Sequence, residues 1–210
     1  MTQPNQFLVR LRELNVTILA VRHAESQKNV DLKHGGSGEP LSSDGKESLS
    51  RISESVRLRL EKSLPLKTIA TSPATHSVQT AKALGVDFDF PIEVLDDLSG
   101  IDLGQVAGLT QIEISLYFPQ ITQIFADWTE GKIPISNLEL PEMESPPDFA
   151  DRILNAFDKL LEPNSTIIFV ATRSTMILLW NLKIQQEEFS FERYVGRDFG
   201  NGEILTLGYG

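Results

Sequence analysis

The residues of this chain best suited to covalent chemistry are an arginine and a histidine side by side, Arg22-His23, followed by Ala24-Glu25-Ser26 and then Asn29. A histidine can attack phosphorus when its other ring nitrogen is held by a backbone acceptor. An adjacent arginine offers forked donors to the phosphoryl oxygens. As a bare dipeptide, Arg22-His23 would also suit a solvated loop with a helix-capping residue. Its place directly after the best N-terminal strand signal, Val16-Thr17-Ile18-Leu19-Ala20-Val21, gives the chemical reading its weight. Two further polar segments follow strand-like runs: Ser72-Pro73-Ala74-Thr75-His76, and Thr172-Arg173-Ser174-Thr175. In an open α/β sheet, ligands bind beyond the carboxyl ends of the strands, which would bring all three segments to one edge.

The elements that must position them alternate. The runs 16–21, 68–71, 92–95, 165–171 and 203–207 read as strands, by apolar content and β-branching. Between them, Leu49, Ile52, Val56 and Leu60 mark an amphipathic helix over 47–62, and a helix over 75–84 is expected to stop at Gly85. Thr110 can cap a helix to Phe118, and Pro119 can begin another ending near Gly131. Residues 134–147 read as loop, and Phe149, Ile153, Phe157 and Leu160 mark one face of a long helix before the strongest strand. An apolar helix from Ser174 to about Leu182 and a turn at Asn201-Gly202 complete the order. The expectation is a three-layer α/β/α fold with a mostly parallel central sheet covered on both faces.

Length and composition agree with one domain over residues 1–210, with 40% hydrophobic and 23% charged residues. There is no cysteine, which excludes disulfides, thiolate nucleophiles and thiolate metal sites. Three histidines without helical pairing argue against a metal centre, and none is expected. Residues 1–15 are polar and lack the apolar core of a signal peptide, and no run is long enough to span a bilayer; a cytoplasmic protein without membrane contact is expected. The net charge of -10, with no dense basic stripe, argues against nucleic acid as a partner. The oligomeric state is not specified.

The segment Leu19-Ala20-Val21-Arg22-His23-Ala24-Glu25-Ser26 with Asn29 resembles the opening motif of the histidine phosphatase superfamily, in its phosphoglycerate mutase-like branch. The resemblance runs in order along nearly the whole chain. It takes in Pro40-Leu41-Ser42 with Gly45, Thr71-Ser72-Pro73 with Val78-Gln79-Thr80-Ala81, and Asp102-Leu103-Gly104 with Gly108-Leu109-Thr110. Glu144-Ser145, Arg152 and the stretch from Thr166 to Leu179 continue it. The resemblance implies a phosphoryl-accepting His23, Arg22 as phosphate ligand, Ser26 and Asn29 as secondary ligands, no cofactor, and a helical lid over about 109–149.

The sequence also departs from that pattern. Ala24 stands for a glycine, His76 for the second arginine, Gly100 for the proton-donating glutamate and Thr172 for the second histidine, with Arg173 in the next place. General acid help is worth ~10²–10⁴-fold, and a preorganised donor to phosphoryl charge ~10²–10³-fold. Arg173 or a protonated His76 could restore positive charge, Thr172 would remain a phosphate-side hydroxyl, and Asp102 or Glu144 could donate a proton from an apolar lid. His34, beside Gly35-Gly36, suggests a phosphate loop but fits an exposed turn better; Phe118, Phe125 and Trp128 could line a lid pocket but fit helix packing better; and Ser174 lacks a histidine base. The expectation is a divergent member that binds a small phosphomonoester or phosphate with weak phosphatase activity through phospho-His23 at most. The alternative is an inactive pseudophosphatase that binds a phospholigand or a protein.

Overall fold

The structure is a computed structural model describing residues 4–36 and 38–208. It opens on α1 (Pro4–Glu13), where proline at the first helical position loses no hydrogen bond. Only Phe7, Leu8 and Leu11 of this helix are buried, and Phe7 meets Phe157 with ring centroids 5.9 Å apart. Three anchors among charged neighbours leave little periodicity, so the helix is not among the sequence expectations.

The chain continues through β1 (Val16–Arg22), the short α2 (Gln27–Val30), α3 (Ser43–Leu60) and β2 (Leu66–Thr71). Next come α4 (Thr75–Phe88), β3 (Ile92–Val94), α5 (Gln111–Tyr117) and α6 (Thr122–Thr129). It closes with α7 (Pro146–Asp158), β4 (Ser165–Ala171), α8 (Arg173–Gln185) and β5 (Ile204–Leu207). The helix α3 starts earlier than its apolar spacing predicts, because the Ser42 side chain accepts from Gly45 N and caps it. Thr110 and Glu113 form the capping box that begins α5. Residues 134–147 are not all loop: a 3-10 turn covers Ile135–Asn137, and α7 already begins at Pro146.

Helix α4 runs through Gly85 and ends at Asp89, whose φ is 50°. Gly85 is instead where the chain folds back: Phe90 N donates to Gly85 O, and a Cβ at Gly85 would lie 2.9 Å from Phe90 O.

The sheet order is β3-β2-β4-β1-β5, parallel except for β5, which pairs antiparallel with β1. Successive residues of the two central strands face opposite layers. Ile18, Ala20, Ile167, Phe169 and Ala171 join the core with α1, α7 and α8, while Leu19, Val21, Ile168 and Val170 join the core with α3 and α4. Parallel register sets Arg22 level with Ala171, and His23 N donates to Ala171 O at 3.1 Å. The ends of β1 and β4 therefore finish side by side. No described helix is long and apolar enough to cross a membrane.

Candidate active site

The three strand-end segments meet around a cavity of about 830 Å³, a size suited to a small organic ligand. β1 delivers Arg22 and His23 to its wall, β2 delivers Pro73 and Ala74, and β4 with α8 delivers Thr172, Arg173 and Ser174.

His23 is almost wholly buried, and its Nδ1 lies 2.7 Å from Ala24 O. A carbonyl can only accept, so Nδ1 carries the proton and Nε2 keeps its lone pair. Burial, and then the neighbouring His76, Arg22 and Lys28, hold its pKa well below the usual histidine value, against the opposing bond to Ala24. His23 is thus a neutral imidazole of one defined tautomer.

Arg22 donates through Nη1 to Phe199 O, and its Nε is buried without a partner among the described residues. Burial, helped by Arg173, lowers its pKa to about 10, so it stays cationic at neutral pH. The turn before β5 braces this motif. Gly202 N donates to Arg22 O at 3.0 Å, and Asn201 Nδ2 donates to His23 O at 3.1 Å and to Asn29 Oδ1 at 3.2 Å. Asn29 lines the cavity, whereas Ser26 points its hydroxyl at Asn29 Oδ1, 2.9 Å away. Ser26 therefore reaches the cavity only through Asn29.

His76 is fully buried, does not line the cavity, and packs its ring against His23 with centroids 4.1 Å apart. Its Nδ1–H donates to Glu39 O at 3.1 Å, and its Nε2 has no partner among the described residues. Burial first, and then Lys28, lower its pKa to about 4, so it is neutral at physiological pH.

Arg173 lines the cavity, donates to Thr129 O and Arg197 O, and lies 3.7 Å from the exposed carboxylate of Asp198. Thr172 Oγ1 shares hydrogen bonds with Ser174 Oγ at 3.2 Å and Thr175 Oγ1 at 3.3 Å. Ser174 Oγ also accepts from Ile101 N. A Cβ at Gly100 would lie 2.8 Å from Thr172 Oγ1 and 2.9 Å from Ser174 Oγ, so these hydroxyls fill the space a longer side chain there would need.

The structure does not bring Glu144 to the cavity. Arg152 binds both its oxygens, at 2.9 Å and 2.7 Å, and also donates to Asp97 O, Ser99 O and Gly100 O. That pair is a strut for the loop leading to the cavity. Asp102 does line the cavity, and its Oδ1 accepts from Gly104 N at 2.9 Å.

One feature runs against the preferred sequence reading and another escapes it. His34 is not on an exposed turn: it is half-buried, lines the cavity and sets its ring edge-on to Phe125, centroids 4.8 Å apart. Lys28, on one short turn of helix, is buried and lines the cavity as well. No spacing signal marks it, because α2 is too short to show a periodicity. Part of the wall is apolar, formed by Leu32, Ile101, Leu103, Phe125, Trp128 and Ile177, while Asp102 and Glu130 add acidic groups. Phe125 and Trp128 thus serve both as helix packing and as wall.

The family model of the histidine phosphatase superfamily (branch 1) matches residues 18–203. Among solved structures, the chain is similar to Bacillus stearothermophilus YhfR, with TM-score 0.75 and 22% identity over 91% of this chain and 90% of that one. It is similar to a mycobacterial glucosyl-3-phosphoglycerate phosphatase complexed with VO3, with TM-score 0.73 and 22% identity over 90% and 91%. A putative alpha-ribazole-5'-P phosphatase from Escherichia coli matches with TM-score 0.64 and 17% identity over 81% and 80%. No curated protein sequence matches the chain.

Proposed function

The chain belongs to the histidine phosphatase superfamily, and on that premise we propose that it binds a small phosphomonoester at Arg22 and His23 and transfers its phosphoryl group to His23 weakly, from esters whose leaving group needs no proton. The observation that carries this reading is the 2.7 Å bond from His23 Nδ1–H to Ala24 O, which leaves Nε2 unprotonated beside a cation at the cavity. In the proposed step Nε2 attacks phosphorus, the ester P–O bond breaks, and its electron pair leaves on the departing oxygen. Water then attacks the phosphohistidine, releasing phosphate and restoring the neutral ring. Arg22 holds the phosphoryl oxygens, Arg173 faces them from α8, and Asn29 and Thr172 add polar contacts. His76 supports the His23 ring.

The weak point is the leaving group. Gly100 carries no acid, Thr172 and Ser174 crowd that space, and Glu144 is held by Arg152. Asp102 remains the candidate donor. Without an effective acid, alkyl esters lose the ~10²–10⁴-fold that protonation provides, whereas aryl esters lose little. The apolar wall suits an aryl group. The similar mycobacterial and Escherichia coli proteins, named as phosphatases, support the phosphoester class. We place it in the cytoplasm, a setting with which the lack of cysteine is compatible.

A second reading, a binding module without turnover, is favoured by the crowding above Gly100. Wild type and His23→Ala compared on 4-nitrophenyl phosphate and glycerol phosphate separate the two. Turnover of the aryl ester alone, lost in His23→Ala, is expected. Equal rates for both proteins would sink the enzymatic reading, and calorimetry with phosphate or vanadate then decides whether binding survives.

A further inference from the structure

We infer that Lys28, and not His76, is the second phosphate-binding cation of this site; the inference rests on the phosphoester reading above. Lys28 is only 9% exposed, yet it lines the same cavity as Arg22 and His23. Lysines this deeply buried are nearly always paired. Lys28 has no ion pair within 4 Å among the described residues, and its one hydrogen bond is a long one, 3.3 Å from Nζ to Gly36 O. An ammonium carries three donors, so two have no partner among the described residues.

Within the fold only Glu39 favours this charge, while burial and the nearby Arg22 both lower the Lys28 pKa. Arg22, Lys28 and Arg173 thus gather around one cavity, each disfavoured by desolvation. A cluster of like charges in a cleft, held at a cost, fits a site whose partner is an anion.

His76 cannot fill this role. Its ring is shielded from the cavity, its Nδ1–H is engaged by Glu39 O, and it is uncharged at neutral pH. The field of Lys28 is itself one cause of that neutrality, and it acts on His23 in the same sense. One ammonium therefore supplies positive charge to the phosphoryl group and helps keep the nucleophile unprotonated.

The competing account is structural. Glu39 Oε2 is buried without a hydrogen-bond partner and approaches Lys28 around Gly36: a Cβ on Gly36 would lie 3.5 Å from Glu39 Oε2 and 3.8 Å from Lys28 Cδ. A small shift would pair them, and Lys28 would then serve the fold.

Four proteins distinguish these accounts: wild type, Lys28→Met, Lys28→Arg and Glu39→Gln, each titrated with inorganic phosphate by calorimetry and melted without ligand. If Lys28 holds phosphate, Lys28→Met weakens binding by about tenfold to a hundredfold, the worth of a charge-assisted bond. Lys28→Arg recovers most of that loss. The ligand-free Lys28→Met protein melts at or above the wild-type temperature, since a desolvated charge has gone. The His76 midpoint in Lys28→Met, followed by NMR, moves upward, because Lys28 no longer lowers it while Arg22, which lowers it, and Glu39, which raises it, both remain. Phosphate binding that survives Lys28→Met overturns the assignment. So does a lowered melting temperature in Lys28→Met that Glu39→Gln reproduces, with affinity unchanged. Wild type that fails to bind phosphate overturns the phosphoester reading together with this one.

Discussion

The His23–His76 pair sets an acid limit on the protein that single-residue chemistry makes calculable. His76 has a pKa of about 4 folded and 6.5 as its reference, so the unfolded chain takes up its proton first as pH falls. Its contribution is therefore complete above about pH 6.5 and is lost progressively down to about pH 4, on the order of 3 kcal/mol in all. His23, shifted in the same direction, adds to this. Urea denaturation between pH 7.5 and 4 should show wild-type stability falling across that window. His76→Phe keeps a ring against His23 but cannot titrate, and its curve should be flatter; an unchanged slope would place His76 in a solvated, ordinary environment. Position 100 offers a second test at this scale. A Cβ there meets Thr172 Oγ1 and Ser174 Oγ, so Gly100→Ala should cost about 1–3 kcal/mol by overpacking, measurable as a shift in denaturation midpoint. Positions 100 and 172 are in this sense sterically coupled, and on the proposed phosphoester reading Gly100→Glu alone should not give turnover of alkyl esters.

Among the elements, α3 is the one that presses on the motif loop. A Cβ on Gly45, in its first turn, would lie 2.0 Å from Glu25 O, while Ser42 N and Oγ both bind Glu25. Helix propensity alone favours alanine over glycine by about 1 kcal/mol. The steric term is opposite and larger, so Gly45→Ala should lower the melting temperature and weaken phosphate binding together by displacing the loop of Ser26 and Asn29. A rise in stability with binding intact would show that the loop yields without consequence. This element also shows what sequence makes legible. The strands 16–22 and 165–171 announce themselves because both faces are buried and every residue except Arg22 and Ser165 is apolar or β-branched. Arg22 and His23 follow from the strand they end. Helix α1 is hidden because its three anchors sit among charges, and Lys28 because its burial depends on a turn near Gly36 rather than on any pattern. The Arg152–Glu144 strut links the start of α7 to the loop at 97–100, a long-range pairing that neither residue advertises locally.

At the scale of the molecule, two charge distributions of opposite sign coexist. The chain carries a net charge of -10, yet the cavity gathers Arg22, Lys28 and Arg173 against Asp102 and Glu130, with its histidines neutral. A phosphate group small enough to enter feels the local cations in a partly desolvated site, where screening is weak. A polyanion cannot enter and meets the net negative surface, without the counterion release that makes basic proteins bind nucleic acid. Competition against bound phosphate should therefore separate anions by size. Phenyl phosphate should displace it, whereas a 5'-phosphorylated DNA oligonucleotide should not, even at about 50 mM salt, where nucleic-acid binding is strongest. The pH profile should carry the same signature: binding of the aryl ester rises as its phosphate becomes a dianion near pH 6 and declines in alkali as Lys28, its pKa lowered by burial, and Arg22, with a pKa of about 10, lose their protons. Because both histidines stay neutral between these limits, no separate step near pH 6.5 is expected from His23; such a step, surviving in a phosphonate analogue of higher pKa, would show that the imidazole is solvated and that the cationic pole is less buried than the fold places it.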